Sequence, residues 1–255
     1  MAAVCIHSVT TRNNLISKLT GSSWGAKANI LQTSASAVCY SVAECCWLVW
    51  SRSSHINLTD CQLNSTRWLI SGCLHPTQTQ WLPVLANIPP ANLHRKSAVD
   101  KKMLCKIDNR QDWPVHADVF FTHPSQRLSS QHPIWLDLSP VDMNSQYKED
   151  WPTASVTNCA IVEEPTSRQP GFNLPHCSRS LLNRFHTGQG TCKAFMYKWG
   201  LTKSPICSCG DPHTMDHIVI SCPVTKFEGS LMILYGDEDN AVNWLNSVVT
   251  TALTE

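Results

Sequence analysis

Apolar positions recur at three- and four-residue steps through most of the first hundred residues, the signature of helices packed along one face. Leu15, Ile16 and Leu19 lead to Gly21, a helix stop, and residues 1–11 before them read as a loose leader. Ile30, Leu31, Ala35, Val38, Val42, Cys46 and Val49 predict a long Ala/Ser-rich helix over 26–50. Leu58, Cys61, Trp68 and Leu69 predict another over 56–71, closed by Gly72. A short helix over 80–86 follows, and Pro89-Pro90 open one more that runs to about Ile107. Residues 12–108 thus read as one helical module, and the chain as mainly α.

Residues 109–175 change character. Seven prolines, from Pro114 to Pro170, break any long period, and Trp113, Trp135 and Trp151 stand apart among polar residues. This is an irregular Pro-rich linker whose aromatics anchor it to a surface. Residues 176–250 form a third unit: a basic helix over about 178–187, then Gly188-Gln189-Gly190, then a small Cys/His-rich module. Asp237, Glu238 and Asp239 open a last helix through Val242, Leu245 and Val249, where negative charge favours the N-terminus.

Charge sharpens this division. The whole chain carries 20 Lys and Arg against 19 Asp and Glu, a net +1, and only 15% charged residues. That excludes a polybasic nucleic-acid wrapper. Yet from Pro165 to Gly210 there is no acid and six bases, whereas Asp211 to Glu255 holds seven acids and one base. Arg179, Arg184, Lys193 and Lys198 in the basic stretch are candidate phosphate contacts, as are Lys101 and Lys102 on the helix after Pro90. Each such face could equally be solvated surface.

No run of 18 apolar residues exists, so no membrane-spanning helix is expected. The first residues lack a charged n-region and an apolar h-region, so an intracellular protein is expected. Its 13 cysteines, an odd number, then read as reduced thiols, most of them small buried hydrophobes. No phosphate-binding Gly-rich loop, no nucleophile elbow and no adjacent Asp pair is present, so no catalytic residue is assigned.

The most specific chemistry is Cys207-Ser208-Cys209-Gly210, then His217, then Cys222-Pro223. Three thiolates and one imidazole make a closed tetrahedral set for a structural zinc ion. Gly210 permits the turn, Thr214 could cap a short helix carrying His217, and Cys222 falls at the end of that helix before Pro223. His213 is the second choice for the imidazole. Asp216 and His217 are helix neighbours, which do not face each other, so they are not read as an acid–base pair.

Several patches together resemble the C-terminal portion of reverse transcriptases from jockey-like non-LTR retrotransposons. They include Asn13-Asn14-Leu15, Gly21-Ser22-Ser23-Trp24-Gly25-Ala26, Cys39-Tyr40-Ser41, Gln62-Leu63-Asn64 and Trp81-Leu82-Pro83-Val84-Leu85. They continue with Leu181-Leu182-Asn183-Arg184-Phe185, Thr187-Gly188-Gln189-Gly190, Trp199-Gly200-Leu201 and the Cys/His set. The resemblance runs from about Thr11 to Leu231. It implies a helical thumb-like module that grips nucleic acid by its backbone, and a terminal zinc-knuckle-like segment that helps hold RNA or DNA. Fingers and palm, with the family's catalytic aspartates, have no counterpart, and Cys45 and Leu48 stand where an aromatic and a proline are typical. The expectation is a truncated polymerase fragment that is not an enzyme on its own, its partners being RNA or DNA and a palm supplied elsewhere. The rival readings are a zinc-stabilised protein-interaction module and a pseudogene product without function.

Overall fold

The computed structural model describes residues 2–21, 25–50, 56–108, 142–227, 231–236 and 240–247. They are mainly helical, and their only β-type pairing is an isolated antiparallel bridge between Ile206 and Pro212. Helix α1 spans Ala2–Ser17, so residues 1–11 are not a loose leader. Cys5, Val9 and Ile16 on its inner face are buried. The polar Asn13 on the same face breaks the apolar period and hides the first turns of this helix from a hydropathy reading. Asn13 is itself buried: its amide donates to the Gln62 carbonyl at 3.0 Å, and its Oδ1 accepts from Thr66 at 2.6 Å.

The stretch 28–50 is one continuous helical rod, α2 (Ala28–Ala35) and α3 (Ser41–Trp50), joined by a π-turn over Ser36–Tyr40. At that wider turn the Arg12 guanidinium donates to the Val38 carbonyl at 2.6 Å. Helix α4 (Ile56–Ser71) is the hub, touching α1, α2, the π-turn, α5 (Trp81–Ala86) and α6 (Ala91–Asp108). Leu31, Trp47, Leu63 and Ile70 are at most 1% exposed in the core these helices enclose.

Part of the stretch read as linker is fastened onto this module. Helix α7 (Met143–Asp150) is capped by Asp142, which accepts from the Asn144 N–H at 3.2 Å. Trp151 then packs edge-on against Trp81, ring centroids 5.3 Å apart, and the Trp81 indole donates to the Thr157 carbonyl at 3.1 Å. Trp151 is thus the anchor expected of it, whereas Trp113 and Trp135 lie outside the described residues.

Helix α8 (His176–His186) joins the tail to the hub. Arg179 is 1% exposed, and its guanidinium donates to the Ile70 carbonyl and, at 2.9 Å, to the Leu85 carbonyl. The Asn183 amide donates to Ser71 O at 2.8 Å, and Arg184 Nε to Gly72 O at 3.0 Å. These carbonyls terminate α4 and α5, where a helix leaves its last acceptors unpaired. The contact is close: Gly72 has φ +65°, and a Cβ there would lie 1.8 Å from Ser180 Oγ. Beyond α8, α9 (Lys193–Lys198), α10 (Leu231–Gly236) and α11 (residues 240–247) surround a third core of Leu182, Phe185, Ile218, Leu234 and Leu245. The acids expected to open α11, Asp237 to Asp239, lie outside the described residues.

His186, at the end of α8, is buried. Its ring lies against Tyr235 with centroids 4.5 Å apart and planes tilted by 57°, and neither ring nitrogen has a hydrogen-bond partner among the described residues. Burial pulls its pKa from 6.5 to about 3.

Three outcomes follow. Gly72→Ala loses about 2 kcal/mol or more by urea denaturation, since the new methyl group meets both the left-handed backbone and Ser180. Arg179→Met loses about 2–4 kcal/mol, because it leaves helix-terminal carbonyls buried without donors, and Arg179→Lys restores less than half of that. For His186 the unfolded ring takes up its proton first. The fold keeps its full stability above the unfolded pKa and loses it as pH falls toward the folded value, about 2 kcal/mol at about pH 5. Urea midpoints at about pH 7.5 and about pH 5 should therefore fall less in His186→Phe than in the parent, and equal falls would remove His186 as the cause.

Candidate metal centre and cationic surfaces

The Cys/His segment begins as a tight loop. Cys207 N–H donates to the Asp211 carbonyl at 2.8 Å, Gly210 N–H to Cys207 O at 3.0 Å, and Gly210 sits at φ +100°, a conformation open chiefly to glycine. This hairpin presents Cys207 and Cys209 on one side. Thr214 then starts a helical turn: its hydroxyl accepts from the His217 N–H at 3.3 Å and its carbonyl from the Ile218 N–H at 3.0 Å. The turn is a π-turn over His217–Ser221, and Cys222 follows at its C-cap with its N–H on the His217 carbonyl at 2.7 Å. The wider turn brings residue 222 back over residue 217, which an ordinary α-helical turn would not do at a spacing of five.

The donor atoms of Cys207, Cys209, His217 and Cys222 all lie within 4.8 Å of one another. Cys207 and Cys222 sulfurs are 3.7 Å apart, and Cys209 Sγ is 3.1 Å from His217 Nε2. Sulfurs bound at about 2.3 Å to a tetrahedral ion stand about 3.8 Å apart, so the set has metal-site dimensions. Cys207, His217 and Cys222 are buried and Cys209 half-buried, and no position of such a tetrahedron is left for a substrate.

The electrostatics favour thiolate at one end of the set. Burial raises the Cys222 thiol, but hydrogen bonds from Thr225 and from the Val224 and Thr225 backbone, together with Cys207, outweigh it and bring the pKa to about 6. At Cys209 the Asp211 backbone N–H stabilises the thiolate, yet burial and the neighbouring Cys207 and Cys222 sulfurs leave its pKa raised. Thr225 was invisible to spacing arguments because it follows the last ligand.

His213 is not part of the set. Its Nδ1 accepts the Lys193 N–H at 3.0 Å and its carbonyl accepts the Ala194 N–H at 3.2 Å, so it caps α9 and ties the hairpin to that helix. A cavity of about 320 Å³, lined by residues including Asp60, Arg67, Tyr147 and Trp151, shares no lining residue with the Cys/His set.

The candidate phosphate contacts separate into two groups. Arg179 is corrected outright: its buried guanidinium serves the α4 and α5 carbonyls and lies 5.1 Å from the Phe172 ring centroid. Burial pulls its pKa to about 10, which leaves it charged at neutral pH. Arg184 is half-buried and holds Gly72 O, so it too acts within the fold. Lys193 is half-buried, while Lys101 and Lys198 are exposed, Lys198 with its ammonium 5.5 Å from the Phe195 ring centroid. Lys102 lies on α6 with its side chain outside the described residues. The basic run in the sequence therefore contains two different things, internal helix-end donors and surface cations.

Among the described residues no helix is long and apolar enough to cross a membrane. No protein-family profile matches the chain, and no solved structure matches it. It is 26% identical over 174 residues to the putative 115 kDa protein in type-1 retrotransposable element R1DM of Drosophila melanogaster. The match covers 66% of this chain and 16% of that protein, so the chain spans about a sixth of its relative's length. This distant similarity supports a retroelement origin for the chain.

Proposed function

We propose that the chain is a retroelement-derived nucleic-acid-holding module, organised by a structural zinc ion and without polymerase chemistry of its own. The observation that carries the reading is the four-donor cluster of Cys207, Cys209, His217 and Cys222, in a chain with distant similarity to a retrotransposon protein. Two or more thiolates with an imidazole, at tetrahedral spacing, select zinc over hard cations that need oxygen ligands. Zinc there links the hairpin to the π-turn, His213 ties the hairpin to α9, and the binding free energy of the ion becomes folding free energy for the tail.

The resemblance to the C-terminal region of non-LTR reverse transcriptases supports a thumb-like role for residues 12–108. In that role these residues contact the phosphate backbone and leave any chemistry to a polymerase palm outside them. Lys101 and Lys198 are the exposed cations suited to this, and such contacts set affinity without reading sequence.

Elemental analysis of purified protein should give one zinc per chain, none in Cys209→Ser, and one in His213→Gln. Zinc in the Cys209→Ser chain would overturn the ligand set. Binding to RNA or DNA should weaken steeply with salt, and Lys101→Ala or Lys198→Ala should each flatten the salt slope by about one unit. Affinity that does not change with salt would remove the backbone reading and favour a protein-interaction module instead.

A further inference from the structure

The surface beside the metal centre carries an unusual set of uncovered rings. Trp199 is 46% exposed at the end of α9 and stacks near-parallel on Phe195, with an interplanar angle of 18° and centroids 6.0 Å apart. Exposed Lys198 lies over the same Phe195 ring, and exposed Lys203 follows Trp199 by four residues. Phe195 is also one wall of a cavity of about 220 Å³, completed by Phe185, Met215 and Val219 and edged by Lys198 and Asp216. Contiguous exposed apolar surface marks a binding site, and here the Trp199 indole continues through Phe195 into the cavity. The flanking lysines say that the partner is anionic, while the stacked rings say that it has flat apolar faces.

We infer that this face binds single-stranded nucleic acid, with one base entering the Phe195 cavity, a neighbouring base stacked on Trp199, and the connecting phosphates held by Lys198 and Lys203. This rests on the nucleic-acid reading above and deepens it. An acid also faces this region, exposed Asp216 at the cavity edge. It decides the orientation. A carboxylate at the cavity edge repels a phosphate but accepts from the exocyclic amino group of a base, so the base goes in and the backbone stays beside the lysines. A duplex keeps its bases stacked on one another and offers this surface only phosphate. The face therefore discriminates strand state, which the salt-dependent backbone contacts of the rest of the chain do not.

The test is fluorescence anisotropy on the full zinc-loaded chain with labelled oligo(dC), oligo(dT) and a duplex of the same length. The parent should bind single strands more tightly than duplex and oligo(dC) more tightly than oligo(dT). Trp199→Ala should weaken single-strand binding about 10-fold and leave duplex binding unchanged, and Trp199→Phe should recover most of that loss. Asp216→Asn should narrow the gap between oligo(dC) and oligo(dT). The inference is overturned if Trp199→Ala binds single strands like the parent, if duplex is preferred, or if the parent binds oligo(dC) and oligo(dT) equally. A parent that binds none of the three probes overturns the proposed function as well, whereas salt-dependent binding indifferent to Trp199 overturns this inference alone.

Discussion

A guanidinium bound to helix-terminal carbonyls joins the hub of this protein to its tail. Arg179 is buried in α8, and moving a charge out of water costs far more than one ordinary hydrogen bond returns. The cost is offset by where the charge sits. It meets the C-terminal carbonyls of α4 and α5, the negative ends of two helix dipoles, with the Phe172 ring beside it. Asn183 and Arg184 extend the same service to Ser71 and Gly72. The acceptors and the donors each need the other, so the hub and the tail are energetically one object although a long Pro-rich stretch separates them in the sequence.

That docking gives the Cys/His segment a firm base. Phe185, on the same helix as Arg179, belongs to the core containing Met215, Ile218 and Val219, the apolar shell around the ligand-bearing turn. A zinc ion held there is buttressed from one side by packing and from the other by His213, which fixes the hairpin to α9. The ligands supply the coordination, but their relative position is set by polar and apolar contacts outside the first four residues, the usual division between a metal's ligands and the shell that orients them.

How much of this was legible in the sequence depends on what each residue's period exposes. Helix α4, its Gly72 stop, the short α5 and the Pro-opened α6 all follow from apolar spacing and helix punctuation, and they stand where that reading puts them. The ligand set was legible because coordination chemistry demands particular residue types at close spacing, and the structure gathers those four donors. The start of the first helix was missed because a buried Asn follows Cys5 and Val9 on its inner face and interrupts the apolar period. The basic helix was misread for a deeper reason: hydropathy scores an arginine by its charge, and nothing local tells whether its partner is a phosphate or a helix end more than 90 residues away in sequence. The segment after Asp142 was misread because prolines break periodicity without preventing burial, as Trp151 shows.

The Arg179 contact also sets a timetable. Its acceptors lie 109 and 94 residues earlier in the chain, so during synthesis the ends of α4 and α5 wait in water until α8 has left the ribosome. At about 5–20 residues per second that is an interval of several seconds or more, in which the hub has local helices but no final clasp. Closing so long a loop is a late, entropically expensive event. The later-made α8 therefore governs when the earlier α4 and α5 become native, and a chaperone that shields nascent apolar surface would act on the hub in that interval rather than on the tail.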